Sequence, residues 1–112
     1  MKEYLTVATY RKFRDIVIER FQRNPEEAHA YLRVVLEEFE EDGDTKHLLL
    51  ALRTVAEAQG GVPELARRIG MEKMTLYKVL SEKGNPTLST LYAILRGLGY
   101  RLALVPTEKQ AA

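Results

Sequence analysis

The sequence contains no cysteine. That excludes disulfide frameworks, thiolate metal sites and cysteine nucleophiles. It has only two histidines, His29 and His47, too few for a histidine-rich metal cage. No run of about 18 apolar residues occurs, so no membrane span is expected. The stretch Met1-Lys2-Glu3-Tyr4 lacks the apolar segment of a signal peptide, which makes a cytoplasmic location the default expectation. There is no internal repeat and no low-complexity tract.

What is present is an ordinary globular composition. Of 112 residues, 46% are hydrophobic and 29% are charged, which suits one domain with its own core. The net charge of +1 hides a segregation. Residues 1–23 carry a net +3, residues 24–59 a net −6, and residues 62–101 a net +4. Basic and acidic stretches side by side imply two kinds of partner.

Hydrophobic spacing predicts a mainly α-helical chain. Phe13, Ile16, Val17 and Phe21 keep one helical face. Asn24-Pro25 then starts a second helix, with Asn24 as its expected cap and Ala28, Tyr31, Leu32, Val35, Leu36 and Phe39 as its stripe. Gly43 stops it. Asp44 caps a third helix to about Gln59, carrying Leu48, Leu49, Leu52, Val55 and Ala56. Shorter helices fit Val62–Ile69, Glu72–Ser81 and Leu88–Leu98, the last capped by Thr87. Gly70, Gly84 and Gly99 stand where left-handed helix ends are expected. Tyr4–Val7 and Tyr100–Val105 read as short strands. The second strand would pair either with the first or with its twin in a two-fold dimer, through Tyr100, Leu102 and Leu104.

The strongest constellation runs from Val62 to Leu80. Ala66 permits a close helix crossing, Gly70 takes the turn, and Leu65, Ile69, Leu76 and Val79 supply buried contacts. This is the spacing of a helix-turn-helix, whose second helix enters the DNA major groove. The candidate DNA contacts are Arg67, Arg68, Lys73, Met74, Thr75, Tyr77, Lys78, Ser81 and Lys83. Lysines donate to guanine or phosphate, hydroxyls to phosphate, and Met74 meets a thymine methyl. The plain alternative is a pair of packed helices that bind no DNA, and Glu72 weighs on that side.

The run Leu48–Leu98 resembles the lambda-repressor-like (Cro/cI-type) helix-turn-helix domain, with Gly84-Asn85-Pro86-Thr87-Leu88-Ser89-Thr90-Leu91 similar to its fourth-helix signature. More narrowly, the order of Asn24-Pro25-Glu26-Glu27-Ala28, Leu49-Leu50-Ala51-Leu52-Arg53, Gly60-Gly61, Leu76-Tyr77 and the closing Gly99-Tyr100-Arg101-Leu102 resembles the addiction-module antidotes, HigA-like antitoxins. The resemblance implies an antitoxin that binds a small basic RelE/ParE-like toxin. It also implies a homodimer that represses its own operon on double-stranded operator DNA. Glu37-Glu38-Phe39-Glu40-Glu41-Asp42-Gly43-Asp44 holds six acids and suits a basic partner, which makes Glu37, Glu38, Phe39, Glu40 and Glu41 the candidate toxin contacts. The bland reading of that run is a solvated helix end.

The expected organisation is an N-terminal helical extension over 1–45, a helix-turn-helix domain with a C-terminal β-strand over 46–106, and a loose tail over 107–112. Glu26/His29 and Asp44/His47 have the spacing of a carboxylate–histidine pair, but a metal site needs more ligands, so no metal or cofactor is expected. Gly60-Gly61 lacks the lysine and preceding strand of a phosphate loop. No nucleophile–base arrangement stands out, so an enzyme is not expected. Two alternatives to an antitoxin remain open: a stand-alone transcription regulator, and a protein-binding module that no longer touches DNA.

Overall fold

The computed structural model of the protein describes residues 7–108. Six helices follow one another within them: α1 (Val7–Arg23), α2 (Pro25–Asp42), α3 (Thr45–Ala58), α4 (Val62–Ile69), α5 (Lys73–Val79) and α6 (Leu88–Gly97). Three of the starts are capped by side chains. Asp44 accepts from the Lys46 N–H at 3.0 Å, Glu72 from Thr75 N–H at 3.0 Å, and Thr87 from Thr90 N–H at 3.2 Å. Asn24 makes no side-chain cap bond. At that junction Pro25, with its fixed φ, starts α2, and Glu26 and Glu27 complement the helix dipole.

Helix α3 is the centre of the molecule. Leu48, Leu49, Ala51, Leu52, Thr54, Val55 and Ala56 are all buried, half of its fourteen residues. It packs against α1 and α2 on one side and α4 on another. Phe21, Ala28, Leu32 and Val35 meet it from the N-terminal helices; Val62, Leu65, Leu76, Leu80, Ile94 and Leu98 continue the same core through α4–α6. Residues from both expected segments, 1–45 and 46–106, therefore share one core. The buried polar residue, Thr54, is satisfied: its hydroxyl donates to the Leu50 carbonyl at 3.0 Å and accepts from Arg14 at 3.2 Å. Arg14 also bonds Glu57 at 2.7 Å, which ties α1 to α3.

The crossing of α4 and α6 needs a bare backbone at Gly97. A Cβ there would stand 2.5 Å from Ile69 and 2.6 Å from Leu65. Gly84 differs from expectation, since its φ is not positive; its lack of a side chain instead avoids the Val79 carbonyl.

The C-terminal β-strand expected from Tyr100–Val105 is not formed. Residues 100–107 have no regular secondary structure, and no strand occurs among the described residues. Two physical causes act together. Tyr100 is taken into the end of α6: its N–H bonds the Leu95 carbonyl at 2.8 Å and that of Gly99 bonds Arg96 at 3.0 Å, a Schellman pair that the positive φ of Gly99 permits. Beyond it the chain finds no edge to pair with, because Val7, the last residue of the other expected strand, begins α1. Tyr4–Thr6 lie outside the described residues. Leu102, Leu104 and Val105 remain exposed, Leu104 completely. Of the expected tail, Thr107 and Glu108 are exposed, and positions 109–112 lie outside the described residues.

Leu52→Ala removes a side chain from the centre of α3 and is expected to cost about 2–5 kcal/mol. Leu104→Ala is expected to change stability by less than about 0.5 kcal/mol. Thermal or urea unfolding of the two variants checks the contrast.

Candidate functional site

The α4–α5 pair forms the most sharply built surface. Helix α4 ends at Gly70, whose left-handed backbone at φ 69° lets the Met71 N–H bond the Ala66 carbonyl at 3.0 Å. The chain then turns within Gly70-Met71-Glu72 and enters α5. Leu76 is the buried anchor of α5. Met74, Tyr77 and Lys78 recur at i, i+3 and i+4 and share one side of α5; Met74 and Lys78 are exposed, Tyr77 packs partly on the core, and Ser81 follows the helix end. Lys73, one turn before Tyr77, borders that face.

The nine candidate DNA contacts divide by what they touch. Lys73, Met74, Lys78 and Lys83 are exposed. The Thr75 hydroxyl donates to Glu72 at 2.8 Å, and Ser81 Oγ donates to the Lys78 carbonyl at 2.7 Å. Tyr77 is half-buried, and the Arg53 guanidinium lies 5.5 Å from its ring centre. Arg67 is held by Glu64 through two bonds of 3.0 and 2.6 Å. Arg68 binds inward: it donates to the Gln59 carbonyl at 2.9 Å, to Gln59 Oε1 at 3.2 Å, to the Gly97 carbonyl at 3.3 Å and to Glu64 at 3.3 Å. Gln59 in turn donates to the Leu98 carbonyl at 3.0 Å. Arg68 thus fastens the ends of α3 and α6 to α4.

Arg53 was not among the candidates. It bonds Glu57 at 3.2 Å, and Glu57 also holds Arg14. A chain of contacts, Arg14–Glu57–Arg53–Tyr77, therefore runs from α1 across α3 to the outer face of α5. The i,i+4 spacing of Arg53 and Glu57 was visible in the sequence; the stacking on Tyr77 was not.

The acidic run occupies the last turns of α2. Glu37, Glu40 and Glu41 are exposed, and Glu38 lies 3.3 Å from His47 Nδ1. Phe39 is half-buried and packs on the core. There is no basic residue in the last turn of α2 to offset these acids against the helix dipole. Of the candidate dimer residues, Tyr100 is half-buried with its ring 5.5 Å from that of His29, and burial raises its phenol above the usual range. Leu102 and Leu104 are exposed. Among the described residues no group of histidine, cysteine and acidic side chains could hold a metal, and no helix is long and apolar enough to cross a membrane.

These features define a small helical protein that presents a basic short-helix surface and an acidic helix end. The chain belongs to a family described as probable addiction module antidote proteins, whose model it matches over residues 12–106. An uncharacterised protein of Haemophilus influenzae (strain ATCC 51907 / DSM 11121 / KW20 / Rd) is 30% identical over 87 residues, 78% of this chain and 84% of its own. No solved structure matches the chain.

Glu72 yields a pH prediction. Its bonds to the Thr75 side chain and backbone hold its carboxyl below the ordinary value of 4.5. A depressed folded-state value stabilises α5 above the ordinary carboxylate range, and that contribution is lost as pH falls through the folded value. Glu72→Gln is expected to unfold earlier than the native chain at neutral pH and to converge with it in acid, as read from unfolding midpoints across a pH series.

Proposed function

We propose that the protein is the antitoxin of a type II toxin–antitoxin module. It binds a small basic toxin directly and represses its own operon as a homodimer on double-stranded DNA. The observation that carries this reading is the family match, which spans both the acidic α2 end and the α4–α5 surface. Family membership supports a toxin partner and a non-enzymatic role. A RelE/ParE-like toxin fold fits the basic partner that the six acids of residues 37–44 would attract. No cofactor enters this function, and the site of action is the cytoplasm.

In this reading α4 and α5 are a helix-turn-helix of the lambda-repressor type. Helix α5 lies in the major groove, with Met74 and Lys78 towards base edges and Lys73 and Lys83 towards phosphates. Thr75 and Ser81 reach DNA only by exchanging their present bonds. Arg67 and Arg68 act chiefly through structure, since Glu64 and the carbonyls of Gln59 and Gly97 already engage them. Leu102 and Leu104 supply apolar area for dimerisation beside the anchored Tyr100. A dimer reads two half-sites about 34 Å apart. A second reading, a stand-alone regulator without a toxin, keeps the same DNA surface and assigns no role to the acidic helix end.

Two measurements test the proposal. Expression of the reading frame adjacent to this gene is expected to arrest growth, and co-expression of this chain to restore it; a harmless neighbour, or one not rescued, removes the antitoxin role. On the gene's own promoter DNA, Lys78→Ala is expected to weaken binding by about 1–3 kcal/mol if it reads a base, and Lys73→Ala to lower the salt slope by about one. Unchanged binding by the double variant removes α5 as the reading helix.

A further inference from the structure

Helices α1, α2 and α3 leave a cleft of about 270 Å³ between them, lined chiefly by Tyr10, Phe13, Val17, Tyr31 and Leu50, and by Arg14, whose charge is met by Glu57 at 2.7 Å. Phe13 is 65% exposed and Leu50 is 40% exposed. On the same exposed side of α1, Ile16 continues the apolar surface one turn on. An aromatic and a leucine flanking a concavity form the kind of pocket that takes an apolar anchor from a partner.

The surroundings specify what that partner carries. His47 lines the same cleft and bonds Glu38, so the cleft opens directly onto the acidic end of α2. Glu37, Glu40 and Glu41 are exposed there, and no ion pair among the described residues neutralises them. Residues 24–59, which supply this rim and the α2 and α3 walls, carry a net −6, against a net +3 over residues 1–23, which supply the α1 wall. An apolar pocket with an acidic border is complementary to an apolar side chain flanked by lysines or arginines.

We infer that the α1–α2–α3 cleft is the docking site of a basic protein, which inserts an apolar anchor between Phe13, Tyr31 and Leu50 while its cations face the end of α2. The inference rests on the antitoxin reading and names where the toxin binds. It assigns the principal contact to cleft residues outside the acidic run. Apolar burial supplies the lasting contact, and the acids supply encounter rate and orientation.

The test uses the full chain and the purified product of the adjacent reading frame as the probe. Phe13→Gln with Leu50→Gln replaces two exposed side chains by helix-compatible neutral ones, so the thermal midpoint should be kept. The pair is expected to weaken binding at least tenfold at both low and high salt and to abolish growth rescue. Glu37→Gln with Glu40→Gln and Glu41→Gln is expected to slow association several-fold at low salt and to change little at high salt. If the native chain binds and rescues but the cleft pair binds within twofold of it, the cleft assignment is overturned while the antitoxin role stands. If the native chain itself neither binds nor rescues, both fall. If the cleft pair alters only self-association in sedimentation, the occupant is a second copy and the inference is overturned.

Discussion

The burial of α3 is the constraint on which the rest of the structure depends. Seven of its fourteen positions are buried, so α3 packs against neighbours on more than one side. Leu49, Leu52 and Val55 are each essentially closed to solvent. Removing such area from water is worth roughly 1.5–3 kcal/mol per large side chain, before the entropy of ordering the chain is counted. That gain is available only if α1–α2 and α4–α6 close on the helix from different directions. The acidic end of α2 and the α4–α5 surface are thus built against one shared wall.

Polar contacts set the orientation that the apolar core leaves loose. Arg14 fixes α1 by bonding both Thr54 and Glu57. Arg68 fixes α4 against the ends of α3 and α6, where helix carbonyls lack intrahelical partners. Glu72 fixes the start of α5, so a carboxylate that looks unfavourable beside DNA serves the helix that would read it. Each of these groups is charged and near the surface, yet its partners are largely internal. The side chains left exposed on α5, chiefly Met74 and Lys78, stand on a scaffold that does not need them, which is what a variable recognition surface requires.

Much of this was legible in the sequence. The apolar spacing of Leu48, Leu49, Leu52, Val55 and Ala56 predicts α3, and Asp44 and Thr87 cap as their residue types suggest. Gly70 turns α4 into α5 as its position implies. What the sequence could not express is which distant group a long side chain meets. Arg67 and Arg68 look alike as neighbouring cations, but one pairs locally with Glu64 and the other also reaches the carbonyls of Gln59 and of Gly97, the latter 29 residues away. The C-terminal strand failed for a related reason. Alternation in Tyr100–Val105 describes a propensity, whereas a strand exists only where an edge receives it, and the Schellman end of α6 takes Tyr100 first. The cleft between α1, α2 and α3 was equally hidden, because Phe13 reads as an ordinary core position of an amphipathic helix.

The account's central claim is that one core carries two separate binding faces, an α1–α2 face for a basic toxin and an α5 face for DNA. Amide hydrogen exchange of the full chain measures this most directly, taken alone, with the product of the adjacent reading frame, and with the promoter duplex. The account predicts that the protein partner slows exchange in α1 and the end of α2, and that DNA slows it in α4–α5, with α3 protected throughout. Protection of α5 by the protein partner, with no change in α1 or α2, would contradict it.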